Sequence, residues 1–370
     1  MKSILFISLM NGAAWGGSEE VWYRTALWMS ANNYRVSVCY FDWKEKNERT
    51  KKLKSAGCDI YLLPNKKGFF KKIAIKKSLN KINFKNYNLV VVNQGGWEDV
   101  LHAPFKNLYK KLPGYVIINH NYNEKAELSY TKKELLQRWV YGAQMNFGDA
   151  GKIFEVLERK FSFTIEKKST LTNPITFIPE NVAPAFPPLE NGTCTWVMLA
   201  ELDIDRKAQD ILVKVLTASK WKDRNWQLHL YGKGKDKELL EKLVSESGLK
   251  NKVFLKGYTA NVKQTLLQSH LLLQCTRIDA MPISVVEAMA MARPCLVSNV
   301  GDMPLWISDT LNGFICNEIS VAALDMALEK CWQQKHNWAE MGKKAFETFT
   351  KKYPQPYEEK TADILNRYFK

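Results

Sequence analysis

Two carboxylate side chains, Asp279 and Glu287, lie at the two ends of a short stretch that joins a predicted strand to a predicted helix. The apolar run at 271–273 predicts a buried strand before the stretch. The residues from Ser284 onward predict a helix of small side chains, which Pro294 ends. Asp279 is therefore expected on the loop and Glu287 in the first helical turn. This edge of an open α/β sheet binds ligands, and the positive end of a helix favours an anion.

The same residues also have a structural interpretation. Ser284 followed three residues later by Glu287 matches a capping box, in which the glutamate caps its own helix. The stretch alone leaves the cap and the ligand site equally open, and the rest of the chain favours the site.

The stretch resembles the signature of the retaining glycosyltransferases with the GT-B fold, family four of the sequence-based classification. In that family, two glutamates separated by seven residues precede Ala-Met-Ala-x-Gly; here Asp279 replaces the first glutamate and Ala292 replaces the glycine. Three downstream segments also match: Pro294, Val300-Gly301 and Asn312-Gly313-Phe314. The resemblance covers nearly the whole chain, more strongly in the second half. It implies an α/β protein of two Rossmann-like domains that face each other across a cleft.

The resemblance assigns donor-binding roles to residues of the second domain. It implies that Glu287 accepts hydrogen bonds from the ribose hydroxyls of the nucleotide and that Asp279 accepts them from the sugar hydroxyls. Lys207 would hold the diphosphate, and Tyr258 follows a strand where the family holds the nucleotide base. The loop and the helix start would contribute further groups that bind the sugar and the phosphates, from Ala280, Met281, Ile283 and Ser284.

One departure from the family bears on diphosphate binding. The segment 200–210 resembles the family's Gly-Arg-Leu-x4-Lys-Gly-x-Asp, but Glu201 stands where the arginine is expected. Because a carboxylate cannot bind a diphosphate, either Arg206 compensates, or phosphate binding is weaker, or the donor is unusual. Asp203 and Asp205 form an Asp-x-Asp pattern, which we interpret as two solvated turn residues. That pattern is common by chance, and the family uses no metal here.

The first half of the chain opens like a Rossmann unit, with a predicted strand at 3–9, a small-residue loop and a helix at about 18–31. The loop lacks Gly-x-Gly-x-x-Gly, which disfavours a nicotinamide enzyme. Gly16 and Gly17 resemble the family's Gly-Gly-Ser/Ala-Glu segment, whose backbone lies close to the diphosphate and the acceptor. A tight turn with a positive φ is the alternative explanation for these glycines.

His120 directly follows a strand predicted at 115–119. The resemblance places the family's active-site histidine, which contacts the donor sugar, at this position. A single histidine is often a structural residue, but the carboxyl end of a strand favours a functional role.

The prolines between 179 and 188 predict a linker. We therefore expect an acceptor-side domain at 1–185 and a nucleotide-sugar donor domain at 186–354. The resemblance implies that a C-terminal helix at about 355–370 packs back on the first domain.

The net charge of +16 is concentrated in the first half of the chain. The first 180 residues contain 29 Lys and Arg against 16 Asp and Glu, and the remainder contains 25 against 22. The segment 66–82 predicts a helix with a lysine-rich face, which suits an anionic membrane surface. Ile73, Leu79 and Ile82 are expected to pack on the sheet. Aromatic side chains do not alternate with the lysines, so we expect no nucleic-acid partner.

The compartment is predicted from apolar runs and cysteines. No apolar run approaches the ~20 residues that span a bilayer, and the apolar start is interpreted as a strand rather than a secretion signal. Seven cysteines without a Cys-x-x-Cys pair indicate buried, reduced thiols rather than disulfides or a zinc site. We expect a cytoplasmic protein, either free or peripheral on the inner face of the plasma membrane.

The sequence thus predicts a retaining glycosyltransferase that moves a sugar from a nucleotide-diphosphate sugar to a glycan or lipid-linked acceptor. The expected setting is the synthesis of cell-surface polysaccharide, lipopolysaccharide or glycolipid. We expect a UDP-sugar as co-substrate, and no metal or other cofactor. Glu201 and Asp279 leave open a catalytically impaired scaffold or nucleotide-sugar-binding protein of the same fold. A GT-B epimerase is a further alternative, which the Ala-Met-Ala context disfavours.

Overall fold

The computed structural model describes residues 1–12, 15–65, 70–124 and 126–370, apart from the side chain of Lys44. The chain forms two compact units. Unit 1 comprises Met1–Pro174 and Pro354–Lys370, and unit 2 comprises Ile175–Tyr353. Each unit contains one parallel sheet and several helices, which confirms the predicted α/β class. Every helix in the described ranges is too short or too polar to cross a membrane.

The sheet of unit 1 has seven strands in the order β3-β2-β1-β4-β5-β6-β7. The strands are β1 (Ser3–Ser8), β2 (Arg35–Phe41), β3 (Asp59–Leu63), β4 (Leu89–Gly96), β5 (Tyr115–Asn121), β6 (Met145–Gly148) and β7 (Lys168–Thr170). The helices before unit 2 are α1 (Gly17–Ala31), α2 (Asn47–Ser55), α3 (Lys71–Leu79), α4 (Tyr130–Gly142) and α5 (Lys152–Phe161). In the centre, Ile4 of β1 pairs with Val36 on one side and Leu89 on the other. A parallel strand covered on both faces needs such a continuous apolar run.

The sheet of unit 2 has six strands in the order β10-β9-β8-β11-β12-β13. The strands are β8 (Cys194–Leu199), β9 (Trp226–Tyr231), β10 (Val253–Gly257), β11 (Leu271–Gln274), β12 (Cys295–Ser298) and β13 (Gly313–Cys316). The helices are α6 (Ile204–Lys207), α7 (Gln209–Leu216), α8 (Ser219–Asp223), α9 (Lys237–Glu246), α10 (Val262–Leu267), α11 (Ile283–Ala290), α12 (Met303–Trp306), α13 (Val321–Gln333) and α14 (Trp338–Lys352). The last helix, α15 (Tyr357–Asn366), belongs to unit 1.

All seven cysteines of the chain are buried free thiols, as predicted.

The segment predicted to be a linker packs on unit 2, so the boundary at 185/186 was placed too late. The backbone N–H of Ile175 donates to the Tyr353 hydroxyl at 3.0 Å. Farther along, the carbonyl of Ala185 accepts from the buried guanidinium of Arg293 at 2.9 Å. Prolines here shape an ordered extended segment, because its backbone polar groups find partners in unit 2.

The lysine-rich helix differs from its prediction at both ends and on one face. Residues 66–69 lie outside the described residues, and α3 ends at Leu79 rather than 82. Leu79 and Ile82 are buried as expected, but Ile73 is 50% exposed and does not pack on the sheet. Ile73 shares its exposed surface with Phe70, which is 75% exposed.

A buried ion pair stabilises the start of unit 1. Glu19 in α1 and Lys46 before α2 are each 1% exposed, and Lys46 Nζ lies 2.9 Å from Glu19 Oε1. Ser8 Oγ donates to the other carboxylate oxygen at 2.7 Å, and Trp22 Nε1 donates there too. Glu19, which belongs to the segment resembling the family's Gly-Gly-Ser/Ala-Glu, is therefore a core residue whose charge depends on Lys46.

Replacing Lys46 by Met leaves the Glu19 carboxylate buried without its cation. We expect the free energy of unfolding of unit 1 to fall by about 3–5 kcal/mol, measured by calorimetric or denaturant unfolding. The double variant Lys46→Met, Glu19→Gln removes both charges and should recover most of the loss. Lys51→Met, which breaks the exposed pair with Glu48, is the matched control and should leave unfolding unchanged. Equal stability of wild type and Lys46→Met would contradict this account.

Candidate functional site

The strand order of unit 2 reverses between β8 and β11, so the loops that leave these two strands lie side by side. The first loop leads into α6, which ends at Lys207, and the second carries Asp279. Lys207 Nζ donates to Asp279 Oδ2, and the side chains are 10% and 16% exposed. Two residues predicted to bind the diphosphate and the sugar are thus brought together as an ion pair.

Arg277, on the loop after β11, holds the two loops against each other. Its backbone N–H donates to the Arg206 carbonyl at 2.8 Å, and Thr276 Oγ1 donates to the same oxygen at 2.7 Å. Its guanidinium donates to the Ile204 carbonyl and to Asp210 Oδ1, the latter at 3.2 Å. Sequence analysis missed Arg277, because its role depends on a contact between loops far apart in the chain and no local motif marks it.

Arg206, the predicted substitute for the missing arginine, faces Glu201. The distance from Arg206 Nη1 to Glu201 Oε2 is 3.3 Å, and both side chains are about half exposed. Asp203 Oδ1 accepts from the Arg206 backbone N–H at 3.3 Å and caps α6, while Asp205 Oδ2 pairs with Lys235 Nζ at 2.9 Å. Exposed pairs are weak, so an incoming anion can compete with Glu201 for Arg206.

Glu287 and Ser284 do not form the capping box. Helix α11 begins at Ile283 after the extended Pro282, and no side chain caps it. Ser284 Oγ donates to Gln274 Oε1 at 3.1 Å. Glu287 Oε1 instead accepts from the backbone N–H of Thr176 at 2.9 Å and from its Oγ1 at 2.5 Å. The capping-box interpretation is wrong because the N-cap is Pro282, so Ser284 and Glu287 both lie inside the helix.

Burial sets the electrostatics of Glu287. The residue is 3% exposed and lies in a helix whose other side chains are small or apolar. Desolvation raises the pKa of Glu287, and the two hydrogen bonds from Thr176 oppose that rise. Thr176 was not predicted, since nothing in the local sequence links it to a residue so distant in the chain.

The loop between Asp279 and α11 is held by a glycine. Gly301 has a φ of +59°, and a Cβ at this position would lie 1.9 Å from the Ala280 carbonyl oxygen. The backbone N–H of Asp302 donates to the same carbonyl at 2.9 Å. Only glycine permits this approach, which keeps Ala280 and the buried Met281 against the start of α11 beside Ile283 and Ser284.

Tyr258 follows β10 on the same carboxyl edge of the sheet, although β9 and β8 separate β10 from β11. Its ring is 71% exposed, and Lys233 Nζ lies 5.8 Å from the ring centroid. An exposed aromatic face beside a cation can stack on a flat ring such as a nucleotide base.

His120 belongs to unit 1 and lies within β5, not after it as predicted. Its Nε2 is 2.8 Å from Asn93 Oδ1, and Asn93 Nδ2 donates to the Ser18 carbonyl at 3.4 Å. With Asn93 Oδ1 as the acceptor, His120 Nε2 is the donor of this hydrogen bond. His120 Nδ1 takes no hydrogen bond from the described residues and lies 3.7 Å from Asp149 Oδ2, which accepts from Asn173 Nδ2 at 2.9 Å.

These polar residues of unit 1 cluster where three parallel strands end. Sequence analysis singled out His120 and not Asn93 or Asp149. The available signal was that Asn93 lies in the carboxyl half of β4 and that Asp149 directly follows β6.

The two glycines before α1 have ordinary backbone conformations. Gly16 is extended, with φ −156° and ψ 177°, and Gly17 begins the helix. Among the described residues, a Cβ at Gly16 would meet Ser18 Oγ alone, at 3.7 Å. The tight-turn explanation is therefore wrong for Gly16, because it does not need a positive φ.

Comparisons with known proteins came from sequence and from structure. A sequence model of the family described as "Glycosyl transferases group 1" matches residues 191–348. The poly(ribitol-phosphate) alpha-N-acetylglucosaminyltransferase of Staphylococcus aureus (strain COL) is 25% identical over 304 residues, which are 79% of this chain and 58% of the relative. The poly(glycerol-phosphate) alpha-glucosyltransferase of Bacillus subtilis (strain 168) is 26% identical over 164 residues, 44% of this chain and 23% of the relative. The chain thus spans less than two thirds of either relative's length.

A solved structure shows the same fold. It is a mutant of S. aureus TarM in complex with Fondaparinux, alpha-GlcNAc-glycerol and UDP, with a TM-score of 0.74 and 15% identity over 100% of both chains. This likeness confirms the predicted GT-B fold.

The ion pair between Lys207 and Asp279 should limit anion binding. Asp279→Asn removes the carboxylate that neutralises Lys207, and we expect it to bind inorganic pyrophosphate roughly three- to ten-fold more tightly at low salt. Isothermal titration calorimetry measures the affinity. Glu201→Gln is the control: its pair with Arg206 is exposed and screened, so its effect should be smaller. Weaker or unchanged pyrophosphate binding by Asp279→Asn would show that the pair does not compete with the anion.

Proposed function

We propose that the protein transfers a sugar from a nucleotide-diphosphate sugar to a cell-surface acceptor, on the premise that residues 191–348 match the model of the glycosyl transferases group 1 family. The observation that carries the proposal is Glu287, a buried carboxylate on α11 that does not cap its helix and accepts from Thr176. It lies on the helix that follows the loop of Asp279, whose partner is Lys207. These residue types suit ribose hydroxyls, sugar hydroxyls and a diphosphate.

In the proposed reaction, the bond between the anomeric carbon and the diphosphate oxygen breaks while the acceptor oxygen bonds to the same face of that carbon. The acceptor's proton passes to the departing phosphate oxygen, so no protein nucleophile is required. Lys207, released from Asp279, and the amino end of α11 stabilise the charge that develops on the leaving group. The configuration of the donor is retained.

The comparisons support the choice of substrates. UDP is bound in the TarM structure, and both curated relatives are named for alpha-linked sugars on polymers of a polyol phosphate. An alpha product from an alpha-linked nucleotide sugar requires retention. We propose a UDP-sugar donor and an anionic polymer or lipid-linked acceptor, which the positive charge of the first half of the chain would attract. Neither metal nor other cofactor enters the proposed step.

The runner-up is a catalytically impaired scaffold or nucleotide-sugar-binding protein. Two observations favour it. Glu201 stands at the expected arginine position, and Lys207 is paired with Asp279 and so is not free to bind a diphosphate. A scaffold would bind UDP without turnover, so transfer assays separate the two functions.

We propose that the protein associates with the cytoplasmic face of the membrane through the α3 surface. This surface comprises Phe70, Lys72, Ile73, Lys76 and Lys77, all of them exposed. Two apolar side chains among three lysines can insert between lipids while the cations face anionic headgroups.

Glu287→Gln should weaken UDP binding at least ten-fold and abolish most transfer to polyol-phosphate polymer, while the melting temperature changes little. An amide keeps the shape, but it removes the negative charge and puts an NH2 donor in place of Oε2, the oxygen left to accept from the hydroxyls. Calorimetry with UDP, transfer from a panel of UDP-sugars, and the anomeric coupling of the product measure these effects. A large loss of melting temperature with unchanged UDP affinity would refute the ribose role of Glu287.

Neutralising Lys72, Lys76 and Lys77 to Gln should lower sedimentation with phosphatidylglycerol vesicles, by roughly 1 kcal/mol per lysine in binding free energy. Neutral phosphatidylcholine vesicles should bind neither protein. The control changes three exposed lysines of α2, Lys51, Lys52 and Lys54, and should sediment like wild type. Equal losses in both triple variants would attribute binding to net charge and not to the α3 surface.

A further inference from the structure

We propose that Thr176 is a positioning residue, which holds Glu287 in the orientation that binds the ribose and links nucleotide binding to the segment where the chain enters unit 2. The inference deepens the proposed function and rests on it. Thr176 lies outside the residues matched by the family, 191–348, and outside the stretch that carries the two carboxylates.

The hydrogen bonds to the Glu287 carboxylate both reach the same oxygen atom. Both donors of Thr176, its backbone N–H at 2.9 Å and its Oγ1 at 2.5 Å, bind Oε1. No other described residue donates to this carboxylate, so Oε2 is left to accept from a ligand. Two donors from one residue fix the carboxylate plane more strictly than either donor alone, which is the preorganisation that binding of a hydroxyl pair requires.

The surroundings of Glu287 make these two donors necessary. Val285 and Ala288 are fully buried on the same helix, and Glu287 itself is 3% exposed. A carboxylate in such a setting is stabilised only by hydrogen-bond donors or cations, and the described residues provide no cation within ion-pair distance of it. Thr176 therefore supplies the contacts that keep the carboxylate in place before a nucleotide arrives.

Thr176 is itself held in place through the residue that precedes it in the chain. The preceding residue, Ile175, is 1% exposed, and its backbone N–H donates at 3.0 Å to the hydroxyl of Tyr353. Ile175 and Tyr353 are the first and last residues of unit 2. A ligand that moves Glu287 therefore acts, through Thr176, on the point where both ends of unit 2 are joined.

Two substitutions at Thr176 test the assignment. Thr176→Val keeps the shape and the backbone N–H but removes Oγ1; Thr176→Ser keeps the hydroxyl. We expect Thr176→Val to bind UDP roughly ten-fold more weakly and to raise the donor KM by a similar factor, with kcat nearly unchanged. Thr176→Ser should stay within about two-fold of wild type. A role in stability alone would lower the melting temperature without this difference in KM and without rescue by serine.

The double variant Thr176→Val, Glu287→Gln completes the cycle. If Thr176 acts through Glu287, adding Thr176→Val to Glu287→Gln should weaken UDP binding by much less than ten-fold. Wild-type affinity in Thr176→Val overturns the inference. Tighter UDP binding also overturns it, because Thr176 would then be a cover that the nucleotide must displace.

These outcomes are distinct from a failure of the proposed function. If wild type binds UDP and Glu287→Gln does not, but Thr176→Val behaves as wild type, only the role of Thr176 is lost. If wild type binds neither UDP nor other nucleotides, the proposed function and the inference fail together.

Discussion

A buried carboxylate must find hydrogen-bond donors, and this requirement organises unit 2. Glu287 lies on α11, which is short, apolar and covered on its outer side by α14. The close approach of α14 is possible because Gly342 has no Cβ, which would lie 2.1 Å from the carbonyl of Ala292. In such a helix no neighbour can donate to the carboxylate, so the entry segment of unit 2 does so through Thr176. The residues just before the predicted linker are therefore part of the candidate site.

The second constraint is charge balance at the switch point of the sheet. The strand order reverses at the neighbouring strands β8 and β11, so the loops that leave them are in contact, and these loops carry Lys207 and Asp279. Aspartate is shorter than glutamate, and here its carboxylate rests on the lysine. With Glu201 in place of an arginine, the local cations each face a carboxylate. In the proposed function, a diphosphate that binds here exchanges with a carboxylate, so its binding should be sensitive to salt and to each of these carboxylates.

Polar residues at the strand ends of unit 1 follow the same physical logic. His120 bonds to Asn93 on the neighbouring strand, and Asp149 accepts from Asn173 beyond the sheet. Each of these buried side chains has a hydrogen bond to another polar side chain, while His120 Nδ1 takes none from the described residues. Glu19, by contrast, is neutralised by Lys46 and serves the core. The segment that resembles the family's Gly-Gly-Ser/Ala-Glu thus ends in Glu19, whose role in this protein is to stabilise the core.

The amino-acid sequence determined the strands at 3–9, 115–119 and 271–273 and the position of Glu287 on the helix after β11, because apolar periodicity and turn residues act over a few neighbours. It predicted the residue types of the site but not their pairing. The tertiary structure decided that Glu287 faces Thr176, that Lys207 faces Asp279, that the prolines belong to unit 2, and that Ile73 is exposed. Each of these features depends on contacts between residues that are distant in the chain. The local pattern of apolar and polar residues does not encode such contacts.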